Sequence, residues 1–323
     1  MSTRFFDFHD VSLAVSSGEE AVAAAVAGRL RHFAVDEGDD RALRFDFQVV
    51  TSADAHDVCR PATEGRPVYD PPAGEVSFFD EEDRLYIDYE GRVRVDGDAG
   101  SGSVRISVVD GERGNLWLLS RPMFTLPFVE LLKRRGLFSV HAAGVAVDGR
   151  AVLIAGPSGA GKSTLAVALA RAGLGFLGDD MLFLHRNGDG VTVLSFPDEV
   201  DVASSTAAWF PELAELASCT PEPGWSKHRL RAEDVYGSAF VAESKPAVVL
   251  FPRIGGKSDT TVTPMSPEEA LLELAPNVLL TEQHSSQAHL HALGELVRVC
   301  DLYRVEVGRD FERIPSLVAD LAA

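Results

Sequence analysis

One short segment constrains the fold of this chain more than any other: a glycine-rich loop between an apolar run and a helix-forming run. The loop is formed by Gly156-Pro157-Ser158-Gly159-Ala160-Gly161-Lys162-Ser163. It matches the pattern G-x-x-x-x-G-K-[ST], and the apolar residues 151–155 before it predict a buried strand, while residues 164–171 after it predict a helix. Backbone N–H groups of such a loop point into one concavity beside a helix N-terminus, which forms an anion site. The sequence therefore predicts a site for the phosphates of a nucleoside triphosphate.

The chemistry of this loop assigns roles to individual residues. Main-chain amides from Gly156 to Thr164 are expected to hold the phosphates, and the Lys162 ammonium reaches the β- and γ-phosphates. The Ser163 hydroxyl is placed to ligate Mg²⁺. ATP and Mg²⁺ are therefore the expected cofactors, although the sequence does not separate ATP from GTP.

The strand that leads into the loop is predicted to have an antiparallel partner. Two β-prone runs are joined by Asp148-Gly149, a strong signal for a two-residue hairpin. Counting outward from a pair formed by Val147 and Arg150, the register places His141 opposite Gly156. His141 is then expected beside the phosphates, where an imidazole is suited to proton chemistry. The alternative is a histidine that caps the end of a strand for structural reasons.

Two adjacent acids follow the helix of the loop. The helix is predicted to end at Gly173, and Asp179-Asp180 stand just before the strand-like residues 181–184. Paired carboxylates at a phosphate site can divide Mg²⁺ ligation from acceptance of a hydroxyl proton. The alternative is a solvated turn.

Residues 141–184 resemble the catalytic domain of the HPr kinase/phosphorylase family, in which a phosphate loop follows an antiparallel strand that bears a histidine and precedes a paired Asp. The resemblance implies an α/β core with a mixed sheet, like that of phosphoenolpyruvate carboxykinase. It also implies that Asp179 is the catalytic base, that Asp180 is a metal-site carboxylate, and that His141 adjoins the reacting phosphate. Lys162 would complete the catalytic set.

The chain departs from that family at two places. Its loop ends Ser163-Thr164 where the family has Ser-Glu, and the glycine- and isoleucine-rich signature and the C-terminal phosphorylase segment of the HPr enzymes are not found. The chain is therefore more similar to the HPr-kinase-related proteins that phosphorylate hydroxyls on peptides. Relatives of the HPr type commonly form oligomers, so the resemblance leaves a homo-oligomer open.

Further candidates lie downstream of the paired acids. Transfer of a phosphoryl group requires positive charge near its equatorial oxygens. Lys227, Arg229 and Arg253 are candidates for this role, and each is equally compatible with an ordinary surface cation. Asp198 or Glu199 would supply another metal-site carboxylate, or would belong to a solvated loop.

The charge of the chain excludes several classes of partner. With 49 acidic and 30 basic residues, the formal net charge is −19. Nucleic acid and anionic membrane surfaces would be repelled, so neither is expected as a partner. Cys59, Cys219 and Cys300 lack the spacing of a zinc site or a disulfide framework. A reducing cytoplasm is the expected location, since no apolar run approaches the ~18 residues of a membrane span.

The chain is expected to form two domains. Residues 1–118 predict a smaller α+β module, with a capping box at Ser17-Gly18-Glu19-Glu20, a loop over Arg60–Gly74 and a meander of strands. This module is either a substrate-binding or partner-binding domain or a structural flank. Residues 119–323 predict the kinase domain. Within it, Gly173–Gly178 is interpreted as a helix end followed by a turn, because its position after a helix reverses the order of a dinucleotide fingerprint.

The combined prediction is an ATP-dependent kinase that transfers the γ-phosphate to an aliphatic hydroxyl, with a serine of a peptide or protein as the favoured acceptor. Two alternatives remain open at this point. One is a kinase of a small metabolite, and the other is a nucleotide-switched binding protein with weak ATPase activity.

Overall fold

A computed structural model describes residues 2–39, 41–50, 76–81, 84–188, 190–221, 226–278 and 283–323. The predicted loop Arg60–Gly74 and Cys59 lie outside the described residues. The chain divides into two compact units, Met1–Arg135 with Thr281–Ser286, and Gly136–Leu280 with Gln287–Ala323. The sequence predicted the boundary after residue 118. In the structure the first unit continues to Arg135, because it includes the helix Pro122–Lys133.

The first unit is built on an eight-stranded mixed sheet in the order β3-β1-β2-β4-β8-β7-β6-β5. Strands β5 to β8 form the antiparallel meander that the sequence predicted, while β4 lies parallel to both β2 and β8. The strands are β1 (Ser2–Phe8), β2 (Val11–Ser17), β3 (Ala34–Val35), β4 (Leu43–Val50), β5 (Val76–Glu81), β6 (Arg84–Tyr89), β7 (Val93–Asp98) and β8 (Ser103–Val109).

Apolar side chains of the helices bury one face of this sheet. Phe124 lies against Phe45 with ring centroids 5.1 Å apart, and Phe128 lies against Phe8 at the same distance. The predicted capping box at Ser17 is not formed: the first helix begins at Glu20, its N-cap is Glu19, and no side chain caps it. The helical segments are Glu20–Arg29, Leu116–Ser120 and Pro122–Lys133, with 3-10 turns at Arg31–Phe33 and Asp110–Glu112.

The second unit contains a nine-stranded mixed sheet with the main order β12-β10-β11-β17-β14-β13-β9, and β19 pairs with both β17 and β18. A separate ribbon joins β15 to β16. The strands are β9 (Leu137–Val140), β10 (Ala142–Val147), β11 (Arg150–Ala155), β12 (Gly175–Gly178), β13 (Leu182–Asn187), β14 (Gly190–Leu194), β15 (Val200–Val202), β16 (His228–Leu230), β17 (Glu243–Ile254), β18 (Thr261–Pro264) and β19 (Asp301–Val307).

Strand β11, which leads into the phosphate loop, has one antiparallel and one parallel neighbour. On one side it pairs with β10 in the predicted register, with Val147 opposite Arg150 and Ala143 opposite Ile154. On the other side it runs parallel to β17, which in turn runs parallel to β19. Since β12 is antiparallel to β10, the strands β12, β11, β17 and β19 all end at the same edge of the sheet. Segments that follow these four strands therefore meet at that edge.

Helices cover both faces of this sheet. Alternate residues of β10 and β11 point to opposite faces and are buried on both, as expected for central strands. The helix Lys162–Arg171 and the C-terminal helix pack on one face, and the long helix Gln283–Val299 packs on the other. The helical segments are Lys162–Arg171, Ser204–Ala207, Ala214–Ser218, Ala232–Tyr236, Pro267–Leu274, Gln283–Val299 and Ile314–Ala322, with 3-10 turns at Pro211–Leu213 and Ala275–Asn277.

One sequence-based interpretation in this unit was wrong. The glycine-rich run after Gly173 is not a turn, because Gly175–Gly178 forms strand β12 and pairs with β10. A side chain on Gly178 would lie 2.8 Å from the carbonyl oxygen of Phe196. The glycine is therefore required by close backbone packing directly before Asp179.

Candidate functional site

Three glycines of the phosphate loop adopt backbone conformations that other residues disfavour. Gly156, Gly159 and Gly161 have φ angles of 152°, 82° and 108°, in the region that side chains disfavour. Gly161 is the N-cap of the helix Lys162–Arg171, so the first turn of this helix leaves its N–H groups facing the loop. The Lys162 ammonium folds back over the loop and donates to the carbonyl oxygens of Gly156 at 2.8 Å and Pro157 at 3.3 Å.

Lys162 is held in an environment that disfavours its charge. The residue is 8% exposed, and burial lowers the pKa of its ammonium, while the nearby Asp180 and Asp179 oppose this shift. A bound anion would restore the solvation that the ammonium has lost. A negatively charged group bound at the loop would therefore favour the charged form of Lys162.

Asp179 lies directly beside the loop. It follows the end of β12, and its Oδ2 accepts a hydrogen bond from the Ser163 hydroxyl at 3.0 Å and from the backbone N–H of Asp201 at 3.3 Å. The residue is 3% exposed, and its Oδ1 has no hydrogen-bond partner within the described part of the chain. Burial, reinforced by the neighbouring Asp180, raises the pKa of Asp179 to about 7.

Asp180 and His141 form a second, more open pair. The Nδ1 atom of His141 lies 2.8 Å from the carbonyl oxygen of Asp180 and 3.2 Å from its carboxylate Oδ1. A carbonyl oxygen only accepts, so Nδ1 carries the proton and Nε2 keeps a lone pair in the neutral ring. The side chains of His141 and Asp180 are 42% and 54% exposed. The imidazole and the second carboxylate are thus accessible to a reacting molecule.

The main chain fixes His141 in this position. Its backbone N–H donates to the carbonyl oxygen of Asn277 at 2.7 Å, just before β10 begins. The predicted pairing of His141 with Gly156 lies one step beyond the last observed pair, Ala142 with Ala155. Asn277 was not predicted as a partner, because it comes from a segment far along the chain.

The oxygen atoms around Ser163 fit a magnesium ion. Mg²⁺ in phosphate-transfer sites is usually held by one or two carboxylates and by the substrate phosphates. The Ser163 hydroxyl and the unpartnered Asp179 Oδ1 supply oxygen donors of this kind beside the loop. Among the described residues no group of three or more His, Cys, Asp or Glu side chains forms a complete metal cage.

The three predicted cations differ in their surroundings. Lys227 lies within electrostatic reach of Lys162, whose pKa it lowers. Arg229 instead donates to Glu199 at 2.8 Å, and Arg253 donates to Glu273 at 3.1 Å. These two arginines each pair with an acid, whereas Lys227 is the candidate whose charge acts on Lys162. Glu199, which was a candidate metal ligand, is engaged in the pair with Arg229.

Several contacts of the loop were not predicted from the sequence. The Thr164 hydroxyl lies 3.1 Å from that of Thr206, and the backbone N–H of Asp201 reaches Asp179. Both partners belong to the segment around β15, which carries no motif of its own. A further group near Gly161 comprises Trp209, Ile254 and Arg309. The sequence contains no signal that joins these three residues.

Comparisons with known proteins give a distant structural likeness. Models of known protein families do not match the chain, and neither does any curated protein. Among solved structures, the chain is similar to the HPr(Ser) kinase/phosphatase from Coxiella burnetii, with 13% sequence identity and a TM-score of 0.31 over 57% of this chain and 92% of that chain. None of the described helices has the length and apolar character that a bilayer span requires.

Proposed function

We propose that this mixed α/β protein is an ATP-dependent phosphotransferase that requires Mg²⁺ and transfers the γ-phosphate to an aliphatic hydroxyl, with a serine of a peptide or protein as the favoured acceptor. The observation that carries the proposal is the convergence of Ser163, Asp179 and Lys162 at one loop, with Asp180 and His141 beside it. An antiparallel strand on one side of β11 also supports a core of the phosphoenolpyruvate-carboxykinase type.

The loop binds and orients the triphosphate in this proposal. Backbone N–H groups between Gly156 and Thr164, except at Pro157, which has none, donate to the phosphate oxygens. Lys162 exchanges the carbonyl oxygens of Gly156 and Pro157 for the β- and γ-phosphates. Bound Mg²⁺ would neutralise charge on these oxygens, and Ser163 and Asp179 would hold it. Lys227 adds positive charge near the transferring group. Positioning and electrostatic stabilisation are the main requirements of a loose phosphoryl-transfer transition state.

The acceptor hydroxyl would approach from the side of Asp180 and His141. Its oxygen forms a bond to the γ-phosphorus, the bond from that phosphorus to the β–γ bridging oxygen breaks, and ADP leaves. The hydroxyl proton passes to the Nε2 atom of His141, whose Nδ1–H is fixed by the Asp180 carbonyl oxygen. Asp180 would stabilise the imidazolium that results.

This proposal differs from the roles that the family resemblance implied. Asp179 becomes a metal ligand instead of the base, His141 becomes the base, and Asp180 supports His141 instead of holding the metal. Asp179 is buried against Ser163 and therefore suits the metal side, whereas Asp180 is half exposed and adjoins an accessible imidazole. The two assignments differ in a measurable way. Replacement of a residue that holds the metal changes the Mg²⁺ concentration needed for nucleotide binding. Replacement of a residue near the acceptor changes only the rate of phosphoryl transfer.

The experiment uses ATP labelled in the γ-phosphate with peptide and metabolite fractions of an extract. The wild-type protein is expected to label a peptide or protein hydroxyl, and Lys162→Ala is expected to abolish both binding and transfer. Label found in metabolites would indicate the small-molecule kinase, and release of inorganic phosphate without a labelled acceptor would indicate the weak ATPase.

The two acids are compared in the same assay. Asp180→Asn is expected to retain Mg²⁺-dependent ATP affinity within a few-fold and to reduce transfer, because it removes the charge that stabilises the His141 imidazolium. Loss of the base itself in His141→Gln is expected to reduce transfer by roughly 10²- to 10⁴-fold. Asp179→Asn is expected to raise the Mg²⁺ requirement for ATP binding. If instead Asp180→Asn raises the Mg²⁺ requirement and Asp179→Asn does not, the roles implied by the family resemblance are correct.

A further inference from the structure

A small cavity lies next to the phosphate loop, on the side away from the paired acids. Its volume is about 60 Å³, and Gly161 and Thr164 form the wall that it shares with the loop. The remaining walls come from segments distant in the sequence. They are formed by Trp209, Ile254, Gly256, Lys257, Val307, Gly308 and Arg309.

The strand order explains why this cavity and the acids lie on opposite sides of the loop. The loop follows β11, and the acids follow β12, which lies beyond β10 on one side. Ile254 ends β17 and Gly308 follows β19, and these strands lie on the other side of β11. All four strands end at the same edge of the sheet. A triphosphate on the loop with its terminal group toward Asp179 would thus direct its other end toward the cavity.

The side chains around the cavity are unusual for a solvent-exposed surface. Trp209 is 41% exposed and Ile254 is 54% exposed, although both are large and apolar. Trp209 packs against Phe311 with ring centroids 5.3 Å apart, so one face of the indole is supported by another ring. An indole held in this way offers a rigid apolar surface to a planar group.

An exposed cation completes the group. Arg309 is exposed, and its guanidinium makes no hydrogen bond or ion pair with any other residue in the described ranges, while its backbone N–H donates to Ser258 at 2.9 Å. The neighbouring Asp310 is occupied by Thr260, whose N–H and hydroxyl it accepts at 2.9 and 2.6 Å. Lys257 is paired with Glu306. Arg309 is thus the cavity cation available to a ligand.

We propose that the surface around the opening of this cavity binds the nucleoside part of the triphosphate, with the base stacked on Trp209 and Arg309 donating to the ribose or the base edge. The inference rests on the proposed function, since it assumes that a nucleotide occupies the phosphate loop. A purine is the expected base, because its larger ring covers more of the indole and of Ile254 than a pyrimidine does. An apolar wall with one convergent polar group is typical of such sites.

The test compares ATP with inorganic tripolyphosphate, which has the phosphates but no nucleoside. Stacking of a base on an aromatic side chain changes affinity by about 5- to 150-fold. Trp209→Ala is therefore expected to weaken ATP binding by a factor in that range and to leave tripolyphosphate binding unchanged. Trp209→Phe keeps an aromatic ring beside Phe311 and is expected to retain most of the affinity for ATP. Arg309→Gln should weaken ATP binding less than Trp209→Ala.

The matched control is Arg298→Gln, which alters an exposed arginine on the long helix, outside the cavity lining. The wild-type protein should also bind ATP and GTP more tightly than CTP and UTP, and Trp209→Ala should reduce this difference. Unchanged ATP affinity in Trp209→Ala, or an equal loss for ATP and tripolyphosphate, would overturn the inference. If the wild-type protein binds neither ligand, the proposed function fails instead, so the two failures are distinguishable.

Discussion

Asp179 is expected to lower the stability of the folded protein at neutral pH, although the proposed function requires its carboxylate. It is buried, one of its carboxylate oxygens is unpartnered, and its pKa is raised to about 7. A carboxyl group with a raised pKa binds a proton in the folded protein over a pH range in which the unfolded chain, at an ordinary pKa of 3.8, has released it. The folded state therefore loses stability as the pH rises from about 4 to about 7.

Replacement of Asp179 by Asn should remove this loss. Each unit of pKa difference corresponds to about 1.4 kcal/mol, so Asp179→Asn is expected to be more stable than the wild type by a few kcal/mol at pH 8 and nearly equal to it at pH 4. The measurement is the free energy of unfolding in urea at both pH values, with a chelator present to exclude metal ions.

Asp320→Asn serves as the control for this prediction, because Asp320 is an exposed residue far from Asp179 in the sequence. Its effect on the free energy of unfolding should stay below about 0.5 kcal/mol at either pH, as is usual at the surface. A gain for Asp179→Asn that is equal at pH 4 and pH 8 would contradict the argument, because titration would then not be its cause.

At the scale of single elements, the hairpin of β10 and β11 sets the position of the loop. Asp148 and Gly149 have φ angles of 48° and 77°, as a tight turn between twisted strands requires. The register that this turn imposes ends with Ala142 opposite Ala155, directly before His141 and Gly156. The turn thus determines which residues stand side by side at the edge of the site.

Gly149→Ala should destabilise the protein through this turn. No heavy atom lies within 4 Å of a Cβ added at Gly149, so the expected cost of about 1–2 kcal/mol comes from the left-handed backbone and not from a clash. Gly190→Ala in the neighbouring hairpin is the matched control, since its backbone is not left-handed and the nearest atom lies 3.9 Å away. The measurement is the midpoint of urea denaturation, and equal shifts in the two variants would refute the explanation.

Elements with local signals could be predicted from the sequence. The Asp148-Gly149 hairpin formed in its predicted register. Strand β12 was missed because its glycines disfavour a strand locally, and its pairing with β10 is what stabilises it. The capping box predicted at Ser17 failed because that residue is buried at the end of β2.

In the candidate site too, residues close together in the sequence could be predicted, whereas residues brought in from distant segments could not. The phosphate loop and the paired acids are separated only by one helix and one short strand, so their residue types and spacing predicted a common site, and Ser163 does contact Asp179. Trp209 and Arg309 reach the loop only because strands distant in the sequence end at the same edge of the sheet. Nothing in the local sequence of either residue specifies that edge. The acidic partners of Arg229 and Arg253 were not predicted for the same reason, since both come from distant parts of the chain.

At the scale of the whole molecule, the residues of the proposed site all belong to one compact unit. The loop, the acids, His141, Lys227 and the cavity lie within Gly136–Leu280 or Gln287–Ala323. The eight strands β1 to β8 belong to the other unit. A nucleotide that binds only the folded protein stabilises the part that it contacts. The effect of binding should therefore be unequal along the chain.

Hydrogen exchange measured by mass spectrometry tests this expectation. With ATP and Mg²⁺, amides of the loop and of the first turn of the helix Lys162–Arg171 become donors to phosphate oxygens, and peptides covering them should exchange more slowly. Peptides around Trp209 and Arg309 should also exchange more slowly, if the nucleoside lies where we propose. Peptides of β1 to β8 should keep their rates. Lys162→Ala should show none of these changes, and protection confined to β1 to β8, or protection that persists in Lys162→Ala, would place the nucleotide elsewhere.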